Sequence, residues 1–255
     1  MFVDTHCHLY EKEFDADRIP TVQRAIDAGV TKLFLPNIDL QSIEKMLELA
    51  FQFPTNCFPM MGIHPCYVDD ELYSQQLDTV EKHLKEGDFC AIGEIGIDLH
   101  WRRDNLETQK KVFEHQVMLA IEHQKPVSVH SREAFGACLE SIKKFRNKGL
   151  RGVFHCFTGS VQEANEAIGC GFLLGIGGVL TYKNTHLRAT LAHIDLEHLL
   201  LETDSPYLPP VPHRGKRNES SYIAIIAQTL AEVYGIGIEK IGEKTSQNAF
   251  DLFKR

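Results

Sequence analysis

Short apolar, β-branched and aromatic runs recur along the whole chain, and each is followed by a longer stretch whose apolar positions return with a helical period. Eight such runs stand out: Phe2–Val3, Lys32–Leu35, Cys57–Met61, Phe89–Ile92, Val127–Val129, Arg151–Phe154, Phe172–Leu174 and Leu199–Leu201. Between them the periodicity predicts amphipathic helices, among them Arg18–Ala28, Gln41–Phe51, Leu106–Glu122 and Glu163–Ile168. Strands that alternate with helices pair in parallel through crossovers, and eight repeats in 255 residues close a barrel. The expected class is therefore α/β, a single TIM-like (β/α)8 barrel domain over residues 1–255. An open doubly wound sheet is the competing architecture. Against it, no Gly-x-Gly-x-x-Gly turn follows the first run, and the glycines at 175–178 follow the seventh and lack a phosphate-loop lysine. No low-complexity linker divides the chain, and the Pro-rich stretch Pro206–Pro212 falls between the eighth strand and the last helices.

Composition narrows the function classes. With 43% hydrophobic and 24% charged residues the chain can bury a large core. A net charge of -8 argues against a protein that coats nucleic acid with its whole surface, although it leaves room for a local basic patch. No apolar run approaches the roughly 20 residues that span a bilayer, and no basic region precedes an apolar stretch at Met1-Phe2-Val3-Asp4. The seven cysteines are odd in number, scattered, and free of Cys-x-x-Cys pairs, which suits free thiols in a reducing compartment. A cytoplasmic, monomeric protein without membrane contact is the expectation.

A barrel presents its chemistry at the C-terminal ends of its strands, and the ionisable residues gather there. His6 and His8 follow the first strand, His64 the third, Glu94 the fourth, His130 the fifth, His155 the sixth, and Glu202 and Asp204 the eighth. Histidines and carboxylates converging from different strands are what a metal site requires. In an extended segment His6 and His8 point to one side, so both can reach one cation. Glu94 lies in the apolar stretch Ala91–Asp98, where an uncompensated carboxylate is very costly, and its two oxygens can bridge two metals. One ion would then be held by His6 and His8 and the other by His130 and His155. Asp204 is the candidate to ligate metal and take the proton of the attacking water, which makes Asp204 and Glu94 the expected catalytic pair. Glu202 either orients a histidine from behind or serves as a buried ion-pair partner. His64 either contacts substrate or holds an additional ion. His83, His115, His123, His186, His193 and His198 read as structural or solvated.

Candidate substrate contacts are Arg132, two residues past His130, and the cations Arg214, Lys216 and Arg217 in the loop after the eighth strand. Trp101, the only tryptophan, lies after the fourth strand, where it can stack on a base.

Taken together, the runs Val3-Asp4-Thr5-His6-Cys7-His8-Leu9, Gly62-Ile63-His64-Pro65, Ile92–Asp98, Pro126–Arg132, His155-Cys156-Phe157-Thr158-Gly159, Leu201–Leu208 and Arg214–Asn218 resemble, in order, the TatD family of metal-dependent deoxyribonucleases. The resemblance implies an amidohydrolase-type barrel that cleaves DNA phosphodiesters, often as an exonuclease from the 3′ end, with single-stranded DNA or 3′ ends as substrate. It places metal ligands at His6, His8, Glu94, His130, His155 and Asp204. It also implies Mg²⁺, whereas four histidines with two carboxylates lean towards Zn²⁺ or Mn²⁺. Tyr10 stands where the family commonly has Asp, and Ser220 where Pro is usual. Neither is expected to touch a ligand. The alternative reading is a related enzyme acting on a small-molecule ester or amide. A non-enzymatic metal-stabilised barrel fits less well with a complete ligand set.

Overall fold

A computed structural model describes residues 1–254. Eight parallel strands follow one another around a single sheet: β1 (Phe2–Asp4), β2 (Val30–Pro36), β3 (Cys57–Met61), β4 (Ala91–Asp98), β5 (Val127–Arg132), β6 (Gly152–Phe154), β7 (Phe172–Ile176) and β8 (Leu199–Leu201). Helices α1 (Arg18–Asp27), α2 (Ile43–Gln52), α3 (Tyr73–Glu86), α4 (Leu106–Glu122), α5 (Phe135–Lys143), α6 (Val161–Gly169) and α7 (Leu187–Leu191) lie between the strands, and α8 (Ile223–Tyr234) and α9 (Ile238–Phe253) follow the last. The expected TIM-like barrel is the fold observed.

Packing explains the alternation along the strands. On β2, Leu33 and Leu35 join the large apolar layer under the helices, while Phe34 points the other way. Phe34 shares the smaller cluster with Val3, Met60, Val153 and Leu200, each from a different strand. Leu252 and Phe253 from the end of α9 complete that cluster, and the Phe253 ring lies 4.3 Å from that of Phe34. The barrel is thus filled and is not a pore.

β1 pairs with β2 and β8 with β7, but the two share no ladder with each other, and the seam is closed just beyond their ends. The Thr5 N–H donates to the Leu201 carbonyl (3.1 Å), Asp204 N–H to the His6 carbonyl (2.9 Å) and His8 N–H to the Ser205 carbonyl (2.7 Å). The residues that complete the barrel are therefore those that carry His6, His8 and Asp204 into its mouth.

Several strands run past their apolar cores, β4 and β5 furthest. β4 was expected over Phe89–Ile92 and β5 over Val127–Val129, yet they extend through Asp98 and Arg132 and pair Gly96 with His130 and Asp98 with Arg132. Glu94 and His130 consequently sit within strands rather than after them, and rigid backbone fixes their side chains. Among the described residues, no single helix is long and apolar enough to cross a membrane.

Candidate metal centre

The strand period of two decides which side chains face the mouth. On β4 these are Glu94 and Asp98, on β5 Ser128 and His130, and past β1 His6 and His8. All but His130, which is partly buried, are removed from solvent.

Glu94 lies at the centre. Its Oε2 stands 3.2 Å from His6 Nε2 and 3.5 Å from His8 Nε2. Its Oε1 stands 2.8 Å from His155 Nε2, 2.9 Å from His130 Nδ1 and 3.4 Å from His64 Nε2. Asp204 Oδ1 approaches the first group from the rim, 3.8 Å from His6 Nε2 and 3.5 Å from His8 Nε2. Asp204 adopts a left-handed backbone (φ 55°), which a short acidic side chain tolerates better than most. Burial would raise the Glu94 carboxyl, but the imidazoles of His155, His64 and His6 outweigh it and hold the group well below the usual carboxylate range. Asp204 behaves alike: burial raises it, while a hydrogen bond from His8 and the nearby imidazoles bring it below its ordinary value. Both carboxylates are therefore charged at neutral pH.

Partners on the far side of three imidazoles decide which nitrogen each presents. Tyr10 donates its hydroxyl proton to the Pro36 carbonyl (2.5 Å), so the same oxygen accepts from His8 Nδ1 (3.0 Å); the neutral ring then turns its Nε2 lone pair to the site, whereas the protonated ring donates from Nε2 to Asp204. The Asp98 carboxylate accepts from His130 Nε2 (2.9 Å), which frees Nδ1 towards Glu94. His64 is arranged oppositely. Its Nδ1 accepts from the Cys66 N–H (3.1 Å), and burial pulls its pKa down to about 4, so the neutral ring carries its proton on Nε2, facing Glu94. His6 Nδ1 meets the Ser128 hydroxyl at 3.1 Å.

The donor set fits divalent cations. His6 Nε2 and His8 Nε2 lie 3.2 Å apart, and a Tyr10-fixed lone pair on one of them faces a charged Glu94 oxygen. Convergent, desolvated nitrogen and carboxylate donors of this kind are satisfied by a metal. His6, His8 and Asp204 form one such group and His64, Glu94 and His130 another, with all donor atoms of each within 4.8 Å of one another. A third grouping joins His6, His155 and Glu202. Glu202 is fully buried beneath His155: its Oε1 accepts from the Cys156 N–H (2.5 Å) and stands 3.7 Å from His155 Nδ1. That separation is too long for a hydrogen bond, and both His155 Nδ1 and Glu202 Oε2 lack a partner among the described residues.

The expected substrate contacts are distributed unevenly. Arg132 and Trp101 lie together on the rim, the guanidinium 5.5 Å from the indole centroid. Arg214 rests on the Tyr182 ring at 4.0 Å, and Lys216 is exposed in the same loop. Arg217, expected to meet a phosphate, is instead committed elsewhere. It binds Asp17 (2.6 and 2.8 Å) and Glu219 (3.0 Å) and stacks over Phe14. Tyr10 also corrects an expectation, since this departure from the family pattern does touch a proposed ligand, through His8 Nδ1. Asp98 had no assigned role. Its only sequence signal is its position four residues beyond Glu94 on one strand, which puts both on the same face.

A model of TatD-related DNases matches residues 3–254. The chain belongs to the TatD-related DNase family. It is 33% identical over 255 residues to the metal-dependent hydrolase YabD of Bacillus subtilis, covering 100% of this chain and 99% of that one. It is 32% identical to the 3′-5′ ssDNA/RNA exonuclease TatD of Pectobacterium carotovorum, covering 98% of each. Among solved structures, the TatD homologue YjjV of Escherichia coli superposes with a TM-score of 0.92 at 29% identity, covering 100% of this chain and 98% of that one. Membership in the TatD-related DNases makes the chain a metal-dependent hydrolase of the nuclease type, and the donor groups around Glu94 could hold its metal.

Proposed function

We propose that this protein removes nucleotides from the 3′ end of single-stranded DNA by hydrolysing phosphodiester bonds at a pair of divalent cations. The observation that carries this reading is Glu94, whose two oxygens face separate sets of imidazoles. His6, His8 and Asp204 would hold one ion with Glu94 Oε2, and His130 and His155 the other with Oε1. Mg²⁺, Mn²⁺ or Zn²⁺ bound there supplies a water of lowered pKa and a positive template for the phosphate. Asp204, ionised and at the rim, accepts the proton of the attacking water. The neutral His64 donates a hydrogen bond from Nε2–H to a non-bridging phosphate oxygen, keeps its proton, and needs no ion of its own. Arg132 and Arg214 hold flanking phosphates, with Lys216 adding charge to the same side. Arg217 serves the fold through Asp17 and Glu219. The exonuclease activity named for the Pectobacterium relative supports the choice of polarity and strand.

The test strips metal with chelator, restores each ion singly, and follows end-labelled single-stranded DNA beside Asp204→Asn. The expected result is a ladder shortening from the 3′ end, with turnover reduced at least 100-fold in the variant. A variant near the wild-type rate would remove Asp204 from the proton transfer. No cleavage with any bound ion would move the reading to a small-molecule ester or amide.

A further inference from the structure

At the mouth between β4 and β5, one exposed aromatic ring and one uncommitted cation stand side by side. Trp101 is 67% exposed, unusual for the largest apolar side chain. Its backbone is nonetheless held: Asp98 accepts from the N–H of Trp101 (2.6 Å) and of His100 (2.9 Å), and the His100 ring packs edge-on against the indole at 4.7 Å. Arg132 lies across the strand pair, in register with Asp98, and shares the face of β5 that carries His130. The other cations of this rim are neutralised. Glu133 pairs with His100 (2.7 Å) and Arg103 (2.7 Å), and Arg102 pairs with Asp104 (3.4 Å) and Asp70 (3.8 Å). Among the described residues Arg132 has no ion-pair partner, and its guanidinium contacts only the Trp101 ring. The single carboxylate of Asp98 anchors this platform and, on its other oxygen, orients His130.

We propose that Trp101 and Arg132 form a subsite for one unpaired nucleotide beside the scissile bond, the open indole face taking the base and the guanidinium the adjoining phosphate. This rests on the nuclease reading above and supplies a physical basis for its preference for single strands. A π-face is available to an exposed tryptophan only when the base has left its duplex stack, so the subsite favours single strands whatever their sequence. Anchorage through Asp98 sets the platform at a fixed distance from His130, so a base seated on it brings its own phosphodiester to the metal centre.

The metal-loaded enzyme tests this in two ways. Trp101 is the only tryptophan of the chain, so its emission reports this place alone. Titration with a phosphorothioate oligothymidylate should quench it, and a strand of abasic sugar phosphates that binds equally by anisotropy should not. In turnover, Trp101→Ala should lower kcat/KM on single-stranded DNA roughly tenfold, within the range for one stacked base. Its rate on blunt duplex and on bis(p-nitrophenyl) phosphate should stay unchanged, and Trp101→Phe should keep most of the activity. Oligonucleotide binding without quenching overturns the subsite, as does an unchanged single-strand rate in Trp101→Ala. An equal loss on the small diester overturns it too, since the ring would then be acting through the fold. Wild-type enzyme that turns over the small diester but no DNA would reject the nuclease reading itself, and the subsite with it.

Discussion

Asp98 shows how much of the site depends on groups that never meet a metal. Burial would raise its carboxyl, yet the His130 hydrogen bond and two backbone N–H groups hold it well below the usual range, so it stays charged. A charged acceptor on Nε2 fixes the His130 tautomer and makes Nδ1 a better donor. Asp98→Asn keeps the size and one acceptor oxygen but removes the charge. Metal affinity is expected to fall about 10- to 100-fold while the fold persists. Calorimetric titration of the metal-free protein measures this, and unchanged affinity would reduce Asp98 to an anchor of the Trp101 loop. The residues that reach inward from strand ends were legible in the sequence because polar side chains in apolar runs are conspicuous. Their supports were not. Tyr10, Ser128 and Asp98 are ordinary residues whose importance comes from the imidazole each faces across the barrel, and sequence distance hides such contacts. Arg217 shows the converse, for nothing in a basic loop reveals that Asp17 and Glu219 have already claimed one of its cations.

At the scale of elements, the repeat of apolar run and helical stretch was enough to give eight strands in the right order, because a strand buried on both faces cannot avoid an apolar signature. The ends of β4 and β5 escaped it, since there the chain exchanges apolar residues for the chemistry of the mouth. Gly96 shows what holds them together. It pairs with His130, has φ 146°, and leaves no room for a side chain, as a Cβ would meet the His130 carbonyl. Only glycine combines that conformation with so close an approach. Gly96→Ala must push β4 from β5 at the level of two candidate ligands. A destabilisation of about 3 kcal/mol is expected, lowering the thermal midpoint of a domain this size by about 6–12 °C. A differential scan measures it. A shift below about 2 °C would mean that the two strands can separate at His130 without cost.

For the whole molecule, the same seam both closes the barrel and assembles the candidate metal centre. Residues 4–8 and 201–205 meet through backbone hydrogen bonds at and beyond the ends of the short strands β1 and β8, and these segments carry His6, His8 and Asp204. Without a cation, Glu94 and Asp204 depend on protonated imidazoles for compensation, yet His6 and His155 stack only 3.8 Å apart, where burial and the charge on His155 disfavour protonation of His6. Metal bound at these donors would therefore stabilise the native barrel and not the unfolded chain, in which the donors are scattered. By mass action the gain is about 2.7 kcal/mol at 100 times the dissociation constant. The thermal midpoint should rise with Mn²⁺ concentration by about 5–10 °C over the chelated protein. In Glu94→Gln, which removes the charge between the two donor groups, most of that rise should vanish. Scanning fluorimetry across a metal series decides it. A midpoint that ignores metal at concentrations restoring cleavage would mean that the cations arrive with the substrate phosphate, and that the seam is held by its backbone bonds alone.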